Sequence, residues 1–136
     1  MEKITCVLYN PFDIERQNLV LLLASIDFIE LIGQSSNLED CIDLNNNLEP
    51  QLLFIAVKPN QNHAFKVLEK LKKQPTIIFI IDDETAIEAP ANGSFYYLNT
   101  PVKLPDVQNV LKNFTKTHRQ LADKMQGLLN KLKFND

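Results

Sequence analysis

The chain has 136 residues, of which 45% are hydrophobic and 23% are charged, and its net charge is −3. This length suits one domain with a sizeable core and leaves little room for a second. Two cysteines, Cys6 and Cys41, lie in apolar segments without metal-ligand spacing, which excludes a disulfide framework. No apolar run approaches the ~18 residues of a membrane span. The start of the chain does not resemble a signal peptide, so we expect a cytoplasmic protein.

The charge is unevenly placed along the chain. Residues 1–111 have a balance of −7 and residues 112–136 a balance of +4. A basic segment can attract nucleic acid or an acidic partner. Its lysines are spread along an amphipathic helical pattern, however, so we interpret them as a solvated helix face.

Short apolar runs alternate with helical periodicity along the whole chain, which is typical of βα units around a parallel sheet. The predicted strands are 4–9, 28–34, 52–57, 76–81 and 94–98. The predicted helices are 13–25 capped by Asp13, one capped by Ser36 or Asn37 and ended by Pro50, 62–73, a weak one at 84–89, and a final helix from Pro105. Together they predict a flavodoxin-like, doubly wound α/β fold, with a five-stranded parallel sheet of order 2-1-3-4-5, helices on both faces and an extended C-terminal helix.

The final helix has apolar residues at alternating steps of four and three, an a/d heptad pattern broken only by His118. The series is Val107, Leu111, Phe114, His118, Leu121, Met125, Leu128 and Leu132. A helix over 105–133 would be ~43 Å long, more than one small sheet can cover. We therefore expect a domain at 1–116 and a helical extension at 117–136 that forms a homodimer or links domains. The alternative is that the extension folds back on its own domain. His118 is interpreted as a tolerated polar residue or a register device.

Two segments resemble a known family. Residues 50–68, PQLLFIAVKPNQNHAFKVL, are similar without a gap to the receiver pattern P-D-L-V-L-L-D-I-x-M-P-x-x-D-G-x-x-V-L. Residues 75–101, PTIIFIIDDETAIEAPANGSFYYLNTP, resemble the receiver segment that ends in Y-L-x-K-P. The chain thus resembles the CheY-like receiver domain of response regulators from residue 3 to about 116, and especially the receivers of LytTR-type transcription regulators.

The resemblance implies a phosphorylation site whose residues are all replaced in this sequence. In that family an Asp at the end of the third strand accepts a phosphoryl group, an acid pair after the first strand helps to hold Mg²⁺, and a Thr or Ser and a Lys contact the phosphoryl oxygens. Here the acid pair falls on Leu8 and Tyr9, the acceptor on Ala56, the hydroxyl residue on Ile80 and the Lys on Thr100. Phosphoryl transfer needs the metal and a cation to neutralise charge. We therefore expect no catalysis, metal or cofactor.

Two positions of the family pattern are retained. Pro101 matches the Pro that follows the family's Lys, often after a cis peptide bond. Tyr97 matches the aromatic switch position on the fifth strand. With Ile80 filling the inner pocket, Tyr97 would be held in one rotamer, or it is simply a packed strand aromatic with its hydroxyl at the surface.

Other polar candidates are weaker. Asp82, Asp83 and Glu84 follow the fourth strand and could attract a cation, but adjacent carboxylates rarely converge on one ion, and a solvated capping loop is favoured. His63 lacks a Ser, Cys or acid at triad spacing and is interpreted as a surface residue.

The sequence therefore predicts a phosphorylation-independent pseudo-receiver of the two-component type, which acts through a signalling protein partner and through homodimerisation. The family's contact face is built from the fourth helix, fifth strand and final helix. One alternative is a small-ligand sensor that uses an altered apical pocket near Tyr9, Asn10 and Phe12. Another is the receiver part of a longer DNA-binding regulator, in which an output domain would contact nucleic acid. A third is an active receiver that uses Asp82 or Asp83.

Overall fold

The chain builds one parallel sheet with the strand order β2-β1-β3-β4-β5. The computed structural model describes residues 3–57, 66–82 and 95–116. The strands are β1 (Ile4–Tyr9), β2 (Ile29–Ser35), β3 (Leu52–Val57), β4 (Thr76–Ile81) and β5 (Phe95–Asn99). The helices are α1 (Asp13–Ala24), α2 (Leu38–Leu48), a 3₁₀ helix (Val67–Lys70) and α3 (residues 104–116). The predicted fold class and strand order are confirmed.

The two central strands follow the apolar runs of the sequence most closely. All six residues of β3 are buried, as are the four central residues of β4. A parallel strand covered on both faces needs such a continuous apolar run. The bounds of β3 and β4 are therefore those predicted, while β2 and β5 each begin one residue later than expected.

The helix starts confirm one predicted cap and correct another. The side chain of Asn37 accepts hydrogen bonds from the backbone N–H groups of Glu39, at 2.8 Å, and Asp40, so Asn37 is the cap of α2. The predicted cap of α1 is wrong. Asp13 is the first residue inside α1, and the capping position belongs to Phe12, whose side chain makes no cap hydrogen bond. Asp13 instead accepts a hydrogen bond from the Arg16 guanidinium at 2.6 Å.

The third predicted helix ends earlier than expected. Within the described part of residues 62–73, Lys66 is α-helical, Val67–Lys70 form a 3₁₀ helix, and Leu71 is extended. Two side chains of α2 bind the backbone that follows the 3₁₀ helix. Asn46 Oδ1 accepts a hydrogen bond from the Lys72 N–H at 2.9 Å, and Asn45 Nδ2 donates one to the Lys73 carbonyl at 3.1 Å. These contacts hold residues 72–73 in a non-helical path. The weak helix predicted at 84–89 lies outside the described residues.

The two faces of the sheet are covered by different helices. Val7, Tyr9, Leu53 and Phe79 point to the face on which Cys41 of α2 is buried. Side chains alternate along a strand, so Leu8, Ala56 and Ile80 point to the opposite face, where Leu19 and Leu22 of α1 lie close to Ile80. The predicted helices on both faces are therefore present.

The structure divides into two compact units between Lys103 and Leu104, and each is described by itself. In α3, Val107, Leu111 and Phe114 are all buried in the single chain. Among the helices that the structure describes, none is both long and apolar enough to cross a membrane.

Candidate functional site

Leu8 and Tyr9 occupy the positions of the family's acid pair. They lie at the end of β1, and their side chains point to opposite faces of the sheet. Leu8 is fully buried on the α1 side. Tyr9 belongs to the apolar cluster on the α2 side, together with Cys41. Burial, with the neighbouring Cys41 thiol as a smaller cause, raises the pKa of the Tyr9 hydroxyl above its usual value. These two side chains therefore do not form one pocket.

The predicted acceptor position is enclosed by apolar side chains. Ala56 lies beside Ile80 in the register of β3 and β4, and Ile80 lies beside Leu98 of β5. Ala56 and Ile80 are each 1% exposed, and Leu98 is 2% exposed. The methyl group of Ala56 can neither attack phosphorus nor bind a metal.

Thr100, at the position of the family's Lys, makes hydrogen bonds to neighbouring residues. The Thr100 hydroxyl donates a hydrogen bond to a carboxylate oxygen of Asp82, and the Thr100 N–H donates to the Ile81 carbonyl at 2.9 Å. The peptide bond between Thr100 and Pro101 is cis, as the resemblance implies. Of the acidic trio, Asp82 is described, while Asp83 and Glu84 lie outside the described residues, as does His63.

The fully buried Asn10 is the centre of a polar network that the sequence did not predict. Its N–H donates to the Ser35 carbonyl at 3.1 Å, and its side-chain oxygen accepts from the Phe12 N–H at 2.9 Å. Its side-chain nitrogen donates to a Glu15 carboxylate oxygen at 3.1 Å, and its carbonyl accepts from the Arg16 guanidinium at 2.8 Å. The network fixes the loop between β1 and α1 with side chains of the protein itself. A polar residue at the end of a buried strand was the available signal.

A cleft of about 500 Å³ lies beside this network, and it differs from the predicted apical pocket. Its lining residues are Asn10, Glu15, Asn18, Leu19, Leu22, Ile80, Thr100, Pro101 and Val102. Tyr9 and Phe12 were expected to line the pocket, but Tyr9 packs on the other face and Phe12 is 50% exposed. One wall of the cleft is therefore a stripe of α1 and the other is the segment after β5.

Tyr97 lies on the edge strand β5 and packs against a buried ring. Its ring centroid is 5.7 Å from that of Phe79, which also stacks on Phe95 at 5.6 Å. Tyr97 remains 38% exposed, and partial burial raises the pKa of its hydroxyl. This geometry is that of a packed strand aromatic with one edge at the surface.

Only some of the predicted interface residues of the final helix lie within the described part of the chain. Val107, Leu111 and Phe114 lie in α3. The remaining heptad positions, His118, Leu121, Met125, Leu128 and Leu132, lie outside the described residues.

Comparison with known proteins agrees with this architecture, although no family model matches the chain. A response regulatory protein of Vibrio cholerae is 28% identical over 108 residues, covering 77% of this chain and 46% of its own length. The sensory transduction protein LytT of Bacillus subtilis is 28% identical over 116 residues, covering 82% of this chain and 48% of its own length. The chain is a receiver domain related to those of LytTR-type response regulators. It spans about half the length of these relatives.

Solved receiver structures share the fold at lower identity. The CheY-like receiver domain from Methylobacillus flagellatus has a TM-score of 0.67 and 12% identity, covering 83% of this chain and 98% of its own. CheY6 of R. sphaeroides, solved in complex with the phosphorylated P1 domain of CheA3, has a TM-score of 0.59 and 11% identity, covering 81% of this chain and 94% of that one.

The residues of this receiver domain do not fit the Mg²⁺ ion of the family site. Mg²⁺ takes oxygen ligands, and Leu8 and Ala56 have none in their side chains. The Tyr9 side chain lies on the other face, and the side-chain oxygen of Asn10 already accepts from the Phe12 N–H. Within residues 3–57, 66–82 and 95–116, no three His, Cys, Asp or Glu side chains are grouped to hold a metal.

Proposed function

We propose that this receiver domain is a phosphorylation-independent pseudo-receiver, which acts in the cytoplasm by protein contact and dimerisation and not as an enzyme. The observation that supports this most directly is the enclosure of Ala56 beside Ile80, where the family has an acceptor carboxylate. A phosphoryl group would need a nucleophilic oxygen and a metal at this place. The apolar wall formed by Leu8, Ala56 and Ile80 offers neither.

A signalling protein is the partner class that the relatives favour. CheY6 is a receiver domain solved bound to another signalling protein, the P1 domain of CheA3. In the present chain the partly exposed Tyr97 and the following Pro101 are the described candidates for contact. Because Tyr97 is stacked on Phe79, we propose that it presents one fixed shape to a partner.

Dimerisation is proposed for the second half of the heptad series. Val107, Leu111 and Phe114 are already buried in the single chain, so in this proposal they are not the residues that meet a second copy. The positions from His118 to Leu132 would then contact the second copy.

Sedimentation equilibrium of the full chain tests the dimer. We expect a dimer at tens of micromolar, a monomer after removal of residues 117–136, and a weakened dimer for Leu121→Glu. The matched control is Leu129→Glu, which makes the same change at a leucine outside the heptad series. A full-length monomer would contradict dimerisation, and so would a loss of dimer equal in both leucine variants.

A second proposal is that the domain serves as the receiver part of a longer transcription regulator. BtsR of Salmonella typhi, a transcriptional regulatory protein, is 29% identical over 99 residues, covering 71% of this chain and 41% of its own length. Contact with nucleic acid would then belong to an output domain. Sequencing the reading frame beyond residue 136 tests this: an output domain supports the proposal and an immediate stop codon contradicts it.

A further inference from the structure

The outer side of α1 has two strongly exposed apolar side chains. Ile14 is 77% exposed and Leu21 is 70% exposed, the highest values among the large apolar residues of the described chain. They are seven residues apart, close to two helical turns, so both lie on one stripe of the helix, the α1 stripe. The buried residues of α1 are Leu19 and Leu23. Within the part of the chain that the structure describes, packing therefore does not account for the α1 stripe.

The same repeat of seven residues recurs in the final part of the sequence, residues 117–136, which we call the extension. Leu121 and Leu128 are seven residues apart, and so are Met125 and Leu132. Helices that pack along a shared seam match apolar residues that repeat in this way. The apolar series of the extension is longer than the α1 stripe, so a helical extension can cover the whole stripe.

The charges favour contact between the extension and the preceding part of a chain. The basic residues of the extension outnumber its acidic ones by four to two, whereas residues 1–111 have a balance of −7. Lys124 and Lys131 each precede an apolar position of the heptad series, so they flank its seam. Two extensions packed on each other would bring like net charges together. An extension packed on α1 brings unlike net charges together, which steers and orients the contact.

The length of the final helix favours a second copy as the source of the extension. Continuing the helix from residue 116 to Leu132 would add ~24 Å at 1.5 Å per residue. A domain of about 100 residues has a radius of gyration of ~13 Å. An unbroken helix would therefore carry the extension beyond its own domain. In a dimer with two-fold symmetry each contact occurs twice, so two stripes and two extensions would be removed from water together.

We propose that the α1 stripe, Ile14 and Leu21, is the docking surface for the extension of a second copy, and that the two chains exchange this contact reciprocally. In the extension, Leu121, Met125 and Leu128 cover the stripe. The inference rests on the proposed dimerisation and adds to it the surface that receives the extension.

Sedimentation equilibrium of full-chain variants tests the docking surface. Ile14→Glu and Leu21→Glu should each raise the Kd of the dimer at least about tenfold, because each places a charge in an apolar contact. Both side chains are exposed in the single chain, so the urea midpoint should stay close to that of the wild type. The matched control is Leu48→Glu, which changes a leucine of α2 that is 44% exposed and should leave the Kd within about twofold.

A mixing experiment tests the reciprocal exchange. One partner is the double variant Ile14→Glu with Leu21→Glu, and the other is the double variant Leu121→Glu with Leu128→Glu. Each should be a monomer by itself. The mixture retains one intact contact, between the extension of the first variant and the α1 stripe of the second. We expect it to form a heterodimer at several hundred micromolar, detected as shifts of the Ile14 and Leu21 amides in the ¹⁵N-labelled second variant.

The outcomes separate this inference from the proposed dimerisation. A wild-type monomer would overturn both. A wild-type dimer that Leu121→Glu weakens, but that Ile14→Glu and Leu21→Glu leave as stable as Leu48→Glu does, would overturn the docking surface alone. A mixture of the two double variants that shows no shift would overturn the exchange, because two extensions would then be packed on each other or on another surface.

Discussion

Ala56 of β3 and Ile80 of β4 are neighbours in the parallel register, and each is 1% exposed. In a phosphorylated receiver the first position would be an acidic nucleophile and the second a small hydroxyl residue. Here two apolar side chains lie side by side at the carboxyl end of the sheet. The interior of the domain therefore extends to the place where the family keeps a hydrated site.

Restoring the acceptor carboxylate should destabilise the protein. Ala56→Asp would bury a charge without a cation among the described neighbours, at a cost of about 3–5 kcal/mol in the free energy of unfolding. Burial raises the pKa of the new carboxyl above that of the unfolded chain, so the loss should shrink as the pH falls and the group is protonated. Urea unfolding at several pH values measures both effects.

The control for this variant is Ala24→Asp, which makes the same change at an exposed position at the end of α1. Its cost should be within about 1 kcal/mol. A similar cost for both variants would show that the position of Ala56 does not specifically disfavour charge.

The hydrogen bond between Asn10 and Glu15 should appear as energetic coupling. Asn10→Asp keeps the acceptor for the Phe12 N–H but replaces the donor to Glu15 by a carboxylate, which should cost about 1–3 kcal/mol. In the double variant with Glu15→Gln, the glutamine amide can donate to the new carboxylate and recover part of that loss. A double-mutant cycle in urea tests this, and additivity within about 0.5 kcal/mol would contradict it.

The two cysteines should be unreactive in the folded protein. Burial raises the pKa of the Cys6 thiol and of the Cys41 thiol from 9.0 to about 12. Only the thiolate reacts with disulfide reagents. We expect labelling by a chromogenic disulfide reagent at pH 8 to be slow in buffer and rapid for both thiols in urea; rapid native labelling would contradict the burial.

The same pKa changes predict a loss of stability in alkali. Both thiols keep their protons more strongly in the folded state, so their contribution is present below pH 9 and is lost as the pH rises towards about 12. Each thiol should remove about 1.4 kcal/mol per pH unit within that interval. The variant Cys6→Ala with Cys41→Ala should have a flatter alkaline limb in urea unfolding; an equally steep limb would refute the assignment.

The sequence predicted those elements whose local pattern and tertiary environment agree. β3 and β4 are apolar runs in the centre of the sheet, so their bounds match the prediction. The helix predicted over 62–73 is contradicted in its last residues because Asn45 and Asn46 of α2 bind the backbone at 72–73. Such contacts join residues more than 25 positions apart, and no local pattern reveals them.

The sequence predicted which positions belong to the candidate site, but not how the surrounding side chains are arranged. Replacement of the five family positions could be seen in the sequence, and the alternation of β1 implies that Leu8 and Tyr9 face opposite ways. The sequence did not indicate that Asn10 would be fully buried, or that Glu15 and Asn18 of α1 would line the cleft. Both features depend on how α1 lies against the sheet.

Independence of phosphorylation is measured by adding Mg²⁺ and beryllofluoride to the protein while recording amide chemical shifts. The receiver domain of Bacillus subtilis LytT under the same conditions serves as the reference. We predict no saturable shift at Leu8, Ala56, Ile80 or Thr100. A saturable, Mg²⁺-dependent shift at these residues would show that the domain still binds a phosphoryl group.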